Sequence, residues 1–396
     1  MFFQTLDDKA ECVGIYADGE LFFDNFPSEL SHTWKPTVSL DWAADLHCAW
    51  IYCGGAALMD ASPAELKEDL ERTSRRFRAY LKSFKIGKIN LRQHCFFDLV
   101  PADFLMEYCE LKNKISQHVF DTREKPKNYD HLLGVQKLLQ TIKNRNLNLD
   151  STNCKELFLA SSKRSAVNSL LNGSHHVDYN LFGTVTGRLA TNPLSFPILT
   201  LKKEFRKIIR PHNDWLLSLD YNGAEVRTFL ALSEAPQPQY DIHTWNITKI
   251  FKNEGITRDE AKTLFFAWLY NPDSNAIISD YYDRDKVLKT WYNEGTVHTP
   301  FERHIKVEER KAFNYLIQST TADLVLERAL ALDKMLEGRQ SFISHIVHDE
   351  IVIDLTDEDR QLIPDIKEIF ANNKIGTYLV NLKCGKNYLD LKELNL

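Results

Sequence analysis

An acid set inside an apolar, β-branched run constrains a fold severely, and residues Ser344–Leu355 contain one. The segment reads Ser-His-Ile-Val-His-Asp-Glu-Ile-Val-Ile-Asp-Leu. Two apolar runs flank His348-Asp349-Glu350, which predicts a hairpin or strand pair. A carboxylate buried without a partner costs several kcal/mol or takes up a proton, whereas a bound cation keeps it ionised. The plain alternative is an edge strand whose acids face water. A second such place lies upstream. Trp215-Leu216-Leu217-Ser218-Leu219-Asp220 is an apolar strand ending in an acid, followed by the helical pattern Ala224–Leu232. A carboxylate where strand meets helix serves as a metal ligand or as a helix cap.

Composition narrows the class. In 396 residues, 43% hydrophobic content leaves ample material for real cores and for two or three domains. A net charge of −6 argues against a wholly basic nucleic-acid coat, not against a local basic groove. The seven cysteines are scattered and lack Cys-x-x-Cys, a pattern of reduced core thiols rather than a zinc or disulfide framework. No apolar run approaches 18 residues and no signal peptide is evident, so a soluble protein is expected, without membrane partners. The expected compartment is the cytoplasm, or the host cytoplasm for a viral or plasmid gene.

Residues 1–62 carry ten acids against Lys9 and Lys35 and read as a small α/β or β domain. A hairpin is expected from Cys12–Tyr16 and Leu21–Phe23 around Asp18-Gly19, and a second strand pair from Val38–Leu40 and Ala49–Tyr52. Ser62-Pro63-Ala64-Glu65 opens a helix running to about Phe84, with Arg72, Arg75, Arg76, Arg78 and Lys82 on it. Further helices are expected at Ala102 to about Val119, Tyr129–Lys143, Asn153–Leu171, Thr257–Tyr270, Glu308–Leu332 and Asp357–Ile375, with a closing strand at Tyr378–Leu382. Along Thr257–Tyr270, four-residue steps align Arg258, Lys262, Phe266 and Tyr270 into one stripe. Two cations and two aromatics on one face fit a surface that meets phosphate at one end and a planar base at the other.

These residues carry a resemblance. Asp220-Tyr221-Asn222-Gly223-Ala224-Glu225-Val226-Arg227 resembles the first palm motif of family A DNA polymerases, the group that includes bacterial DNA polymerase I. Arg258-x3-Lys262-x3-Phe266-x3-Tyr270 is similar to their fingers helix, and His348-Asp349-Glu350 to their second palm motif. Supporting pieces stand in the family's order: Glu107-Tyr108-Cys109-Glu110-Leu111, Thr186-Gly187-Arg188-Leu189, Asp241-Ile242-His243-Thr244, Arg310-x3-Asn314-x3-Gln318 and Thr321-Ala322-Asp323. Each is weak alone; the order over about two thirds of the chain is not.

The resemblance implies an α+β right-hand polymerase: an antiparallel palm sheet, helical fingers and a helical thumb, beside the small N-terminal segment. Its divisions would be residues 1–62, an eroded or replaced exonuclease; 63–176, thumb-like; 177–240 and 311–396, palm; and 241–310, fingers. It implies template-directed addition of dNTPs to the 3′ end of primer–template DNA, in replication or repair, with two Mg²⁺ ions. Asp220, Asp349 and the Tyr221 carbonyl would ligate the metals, with Glu350 in support. Arg258, Lys262 and His243 would hold the triphosphate, Lys262 also protonating the departing pyrophosphate. Phe266 would stack on the nucleotide, Tyr270 would guard the templating position, and Glu225 would exclude a ribose 2′-hydroxyl. Arg188, Arg310, Asn314, Gln318 and His348 would touch the primer–template, largely in the minor groove. No accessory protein is implied.

The chain departs from the family pattern at Asn271, Phe265 and Ala267, where Gly, Asn and Gly are common, so a bulkier helix beside the nucleotide is expected. Asp69-Leu70-Glu71 has a nuclease's Asp-x-Glu spacing but falls in a predicted helix, and Asp41 lacks a second acid; proofreading is not expected. For Arg227 the plain alternative is a pairing with Glu225 or a neighbouring acid. The competing readings are a single-subunit RNA polymerase, against which Glu225 argues, and a degenerate primer–template binding factor, against which Asp220, Asp349, Lys262 and Arg258 argue.

Overall fold

Strand Trp215–Tyr221 is buried along nearly its whole length because it lies at the centre of a five-stranded sheet. The computed structural model describes residues 1–7, 14–35, 45–91, 93–152, 154–252 and 255–395. They form two compact units, 1–144 and 145–396, the boundary falling within the stretch 63–176.

In the first unit, β1 (Phe3–Thr5), β2 (Ile15–Ala17) and β3 (Glu20–Phe22) form an antiparallel sheet. Asp18 and Gly19 turn between β2 and β3 with φ of 47° and 82°, both left-handed as a two-residue hairpin requires. Phe3, Ile15, Ala17, Leu30 and Leu46 form one small core, and Phe84, Val100, Phe104 and Leu105 a second. Helices α1 (Lys67–Ile86), α2 (Ala102–Thr122) and α3 (Tyr129–Asn144) lie close to expectation. Asp69 and Glu71 are on α1, so that Asp-x-Glu is helical.

Several expectations for this unit need correction. Ala49–Tyr52 is a helical turn, not a strand; a four-residue apolar run has no periodicity to separate the two. Its expected partner, Val38–Leu40, lies outside the described residues, as do Cys12 and Asp41. Ser62 caps nothing, its Oγ donating instead to the Pro63 carbonyl at 3.3 Å, and a 3₁₀ turn (Ala64–Leu66) precedes α1. Cys48, Cys53, Cys109, Cys154 and Cys384 are free thiols, but Cys95 is disulfide-bonded. Count and spacing carry no information on which Cβ atoms meet.

In the second unit the sheet order is β5-β6-β4-β7-β8, antiparallel throughout, where β4 is Trp215–Tyr221, β5 Phe342–Val347, β6 Glu350–Leu355, β7 Val380–Gly385 and β8 Lys392–Glu393. Helices α8 (Glu309–Met335) and α9 (Ile363–Ala371) pack on this sheet and on each other. The expected helix Asp357–Ile375 is shorter: a 3₁₀ segment runs to Leu362, Pro364 sits in the first turn of α9, and residues 372–377 form a β-ladder. Helix α4 (Ser161–Asn172) likewise follows a 3₁₀ turn (Lys155–Phe158). Beyond β4, helices α5 (Ala224–Leu232), α6 (Ile242–Lys249) and α7 (Arg258–Tyr270) surround a core of Phe229, Phe265, Trp268, Tyr282 and Phe313. Most of its rings meet edge-on, as between Phe229 and Tyr282, 5.1 Å apart at 89°.

Candidate active site

Strand register brings the acids together. Asp220, the penultimate residue of β4, lies directly opposite Glu350 on β6. Val347 of β5 also pairs with Glu350, which leaves His348 and Asp349 as the two turn residues of a tight hairpin. His348 takes the left-handed φ of 57°, a conformation that costs a non-glycine residue about 1 kcal/mol and that histidine tolerates better than most. Asp349 is thereby placed beside Asp220.

Burial raises both carboxyls at this place. Asp220 is pushed up to about 7 by burial, then by the negative charge of Asp349 and Glu350; among the described residues its one side-chain donor is Asn381 Nδ2, at 3.4 Å. Asp349 is also raised, chiefly by burial. Glu350 differs. Its Oε1 accepts from Ser218 Oγ at 2.5 Å and its Oε2 from the Tyr388 hydroxyl at 2.6 Å, so both oxygens are committed. Ser218 and Tyr388 escaped the sequence reading. Ser218 precedes Asp220 by two on the strand and shares its face, a signal that alternation contains. Tyr388 lies beyond β7 and carries no such signal.

The segment after β4 is built around one turn. Tyr221 points away from the acids, stacking on Phe370 at 4.1 Å and donating its hydroxyl to the Phe370 carbonyl at 2.5 Å. Any ligation from Tyr221 is therefore left to its backbone carbonyl. Gly223 caps α5 with φ of 68°, and a Cβ there would stand 2.4 Å from Ile242 Cγ2. Glu225 is buried, with Oε1 accepting from Arg188 Nη2 and Oε2 without a partner. Burial raises its carboxyl, opposed by Arg188. Arg227 makes no ion pair with Glu225 or another acid among the described residues, so the plain alternative does not hold. Wholly buried, it donates to the carbonyls of Asn222 (2.7 Å), Pro238 (2.9 Å) and Tyr240 (3.0 Å). These neutral acceptors lie in the turn before α5 (Asn222) and in the loop that connects α5 to α6 (Pro238 and Tyr240).

On α7 the stripe survives. Arg258, Lys262 and Tyr270 are exposed and Phe266 half-buried, while Ala261, Phe265, Trp268 and Leu269 fill the opposite, buried face. Phe265 therefore adds no bulk on the stripe side, because it belongs to the core. Thr257 and Glu260 cap α7 reciprocally. Arg258 is bidentate to Asp241, Nε to Oδ1 at 3.1 Å and Nη2 to Oδ2 at 2.8 Å. His243 is buried near Phe266, its ring 6.4 Å from that of Phe266 and its Nδ1 unpartnered. Burial depresses the imidazole to about 4, with Asp241 opposing and Arg258 and Lys262 adding to the shift.

The expected nucleic-acid contacts fall into two groups. Arg188 and His348 line one small cavity with Ala322, Leu326 and Ile346, next to the acids. Arg310, Asn314 and Gln318 follow one face of α8; Arg310 is exposed and bonded to Glu308, and Gln318 donates to Asn314 at 3.0 Å. The reading also missed the ion pair of Arg303 with fully buried Asp323, at 2.7 and 2.9 Å. A Cβ on Gly187 (φ 78°) would meet the Arg303 guanidinium at 2.6 Å, so this pair supports the loop that carries Arg188.

The donor set fits a hard divalent ion. Asp220 and Asp349 offer carboxylate oxygens in a buried place that raises both carboxyls, and a bound cation would favour their ionised forms. Among the described residues no group of three or more His, Cys, Asp or Glu side chains is placed to hold a metal ion. No described helix is long and apolar enough to cross a membrane.

Comparison with known proteins follows the same lines. The chain is 29% identical over 251 residues to DNA polymerase I of Lactococcus lactis subsp. cremoris, covering 50% of this chain and 28% of that protein. It is 26% identical over 279 residues to the thermostable DNA polymerase I of Thermus aquaticus, covering 56% of this chain and 33% of that one. The chain thus spans about a third or less of these relatives. No protein-family model matches it. In structure it resembles the POL domain of Pol1 from M. smegmatis, solved in complex with DNA primer-template and dNTP. The TM-score is 0.60 at 14% identity, over 72% of this chain and 76% of that one. The resemblance to family A DNA polymerases holds in sequence, and the fold is that of their α+β polymerase domain.

Proposed function

We propose that this chain is a template-directed DNA polymerase that adds dNTPs to a primer 3′ end, without a proofreading nuclease. The observation that carries the reading is that Asp220, near the end of β4, and Asp349, in the turn that leads into the neighbouring β6, come together buried beside a Glu350 already committed to Ser218 and Tyr388. In this reading 177–240 and 311–396 form the palm, 241–310 the fingers and 63–176 the thumb. Asp220, Asp349 and the Tyr221 carbonyl would hold two Mg²⁺ ions. When bound, such ions would lower the pKa of the attacking 3′-hydroxyl and neutralise charge on the leaving pyrophosphate.

The chain's own groups supply the rest. Arg258 and Lys262 bind the triphosphate, and His243, kept neutral by burial, adds a hydrogen bond. Lys262 donates a proton to the departing pyrophosphate oxygen. Phe266 stacks on the incoming base and Tyr270, exposed at the end of the stripe, guards the templating position. Glu225, buried and tied to Arg188, presents a fixed wall to a 2′-substituent, which favours dNTPs over NTPs. Arg188, His348, Arg310, Asn314 and Gln318 face the minor groove of primer–template, whose acceptors are nearly independent of sequence.

Primer extension with Mg²⁺ tests the proposal. Wild-type chain extends the primer with dNTPs, and Asp349→Asn loses roughly 10³-fold or more, about 4 kcal/mol of transition-state stabilisation. Equal extension by both proteins would overturn the assignment, and equal use of NTPs would favour an RNA polymerase. A mismatched 3′ end should persist; its degradation would contradict the absence of proofreading.

A further inference from the structure

The triphosphate cation of the fingers helix is already occupied. Arg258 is held by Asp241 through a bidentate pair, the geometry in which a guanidinium binds a phosphate. Lys262, one turn along the same face, makes no ion pair among the described residues. Asp241 itself is over-supplied with donors. Its Oδ1 also accepts from the Thr244 backbone N–H and hydroxyl, both at 2.9 Å, and its Oδ2 from Asn222 Nδ2 at 2.7 Å. Three donors therefore remain when Arg258 leaves, so losing the guanidinium does not strand the carboxylate. His243 lies within the fields of Arg258, Lys262 and Asp241 alike, which places all three around one locus.

We infer that Asp241 is an internal placeholder for the triphosphate: it holds Arg258 in the nucleotide-free state, and an incoming triphosphate displaces it. This rests on the polymerase reading for the identity of the ligand, not for the displacement. Asn222 ties the exchange to the metal strand. It bonds Asp241 through Nδ2 and the Ile242 N–H through Oδ1 (2.9 Å), and it follows Asp220 by two residues. Asp241 is thus a positioning residue, acting through Arg258. Because the pair is half-exposed, its hold is modest, and the tax it puts on nucleotide affinity is correspondingly small.

The test is equilibrium binding without primer, using inorganic tripolyphosphate and, separately, a dNTP. Asp241→Asn keeps a capping side chain but removes the competing charge. It should tighten both ligands about two- to fivefold and lower the KM for dNTP by a similar factor without raising kcat. Asp241→Glu, with the charge restored, should return towards wild-type affinity. A variant that binds no better, or worse, overturns the inference, since an aspartate that merely orients Arg258 would weaken binding when lost. In unaltered protein, the Arg258 Nε–H resonance should shift on saturation with tripolyphosphate; an unmoved resonance also overturns it. The binding and resonance measurements need no primer extension, so failure of the polymerase reading would show separately, as absent extension with tripolyphosphate still bound.

Discussion

Asp220 illustrates how far a single residue's state depends on its neighbours. Raised to about 7, its carboxyl holds a proton in the native state that the unfolded chain releases near 4. The native state thus binds more protons between those values, and stability falls as pH rises through them. Metal-free protein should therefore lose stability from about pH 4 to pH 7, by at most about 4 kcal/mol from this group. Thermal melts across that window should show the slope, Asp220→Asn should flatten it, and Mg²⁺ should counter it by binding the ionised form with release of protons. Gly223 is constrained by geometry rather than charge. Its φ of 68° and the 2.4 Å approach of Ile242 leave no room for a methyl group. Gly223→Ala should cost about 1–3 kcal/mol by chemical denaturation, and an unchanged midpoint would contradict the close packing of this turn.

Among the elements, α7 has two faces with different tasks. Its inner face, Ala261, Phe265, Trp268 and Leu269, anchors it in the core, while the stripe faces outward. The reciprocal cap of Thr257 and Glu260 fixes where the helix begins, and hence where Arg258 meets Asp241. Thr257→Ala should cost about 1 kcal/mol, read as faster amide exchange in the first turn of α7 with little change in the central sheet. The β5–β6 hairpin is constrained in another way. With only two turn residues, inserting one after Asp349 would shift Glu350 out of line with Asp220 and turn each β6 side chain to the opposite face.

At the scale of the molecule, the candidate site is contained within one unit. Asp220, Asp349, Glu350, the α7 stripe and the α8 residues all lie in 145–396, which has its own core. A fragment of these residues should fold cooperatively and bind tripolyphosphate with an affinity near that of the whole chain. Calorimetry on both would check this, and a fragment without a melting transition would contradict it. Affinity for DNA should fall steeply with salt despite the net charge of −6, because phosphate contacts depend on local cations.

The sequence by itself determined the long elements and the identity of the acids. Helical periodicity set α2, α3, α7 and α8 to within a few residues, and the apolar run ending in Asp220 and the two runs flanking Asp349 marked the strands that bring those acids to the site. Periodicity is local, so it survives being read one stretch at a time. Short runs without a period were misjudged, as at Ala49–Tyr52. Only the tertiary structure decided the partners. That Glu350 is held by Ser218 and Tyr388, that Arg227 bonds to carbonyls, that Arg303 supports Gly187 through Asp323, and that Arg258 rests on Asp241 all depend on contacts between distant segments. Donors find acceptors in three dimensions, and linear spacing does not encode that choice.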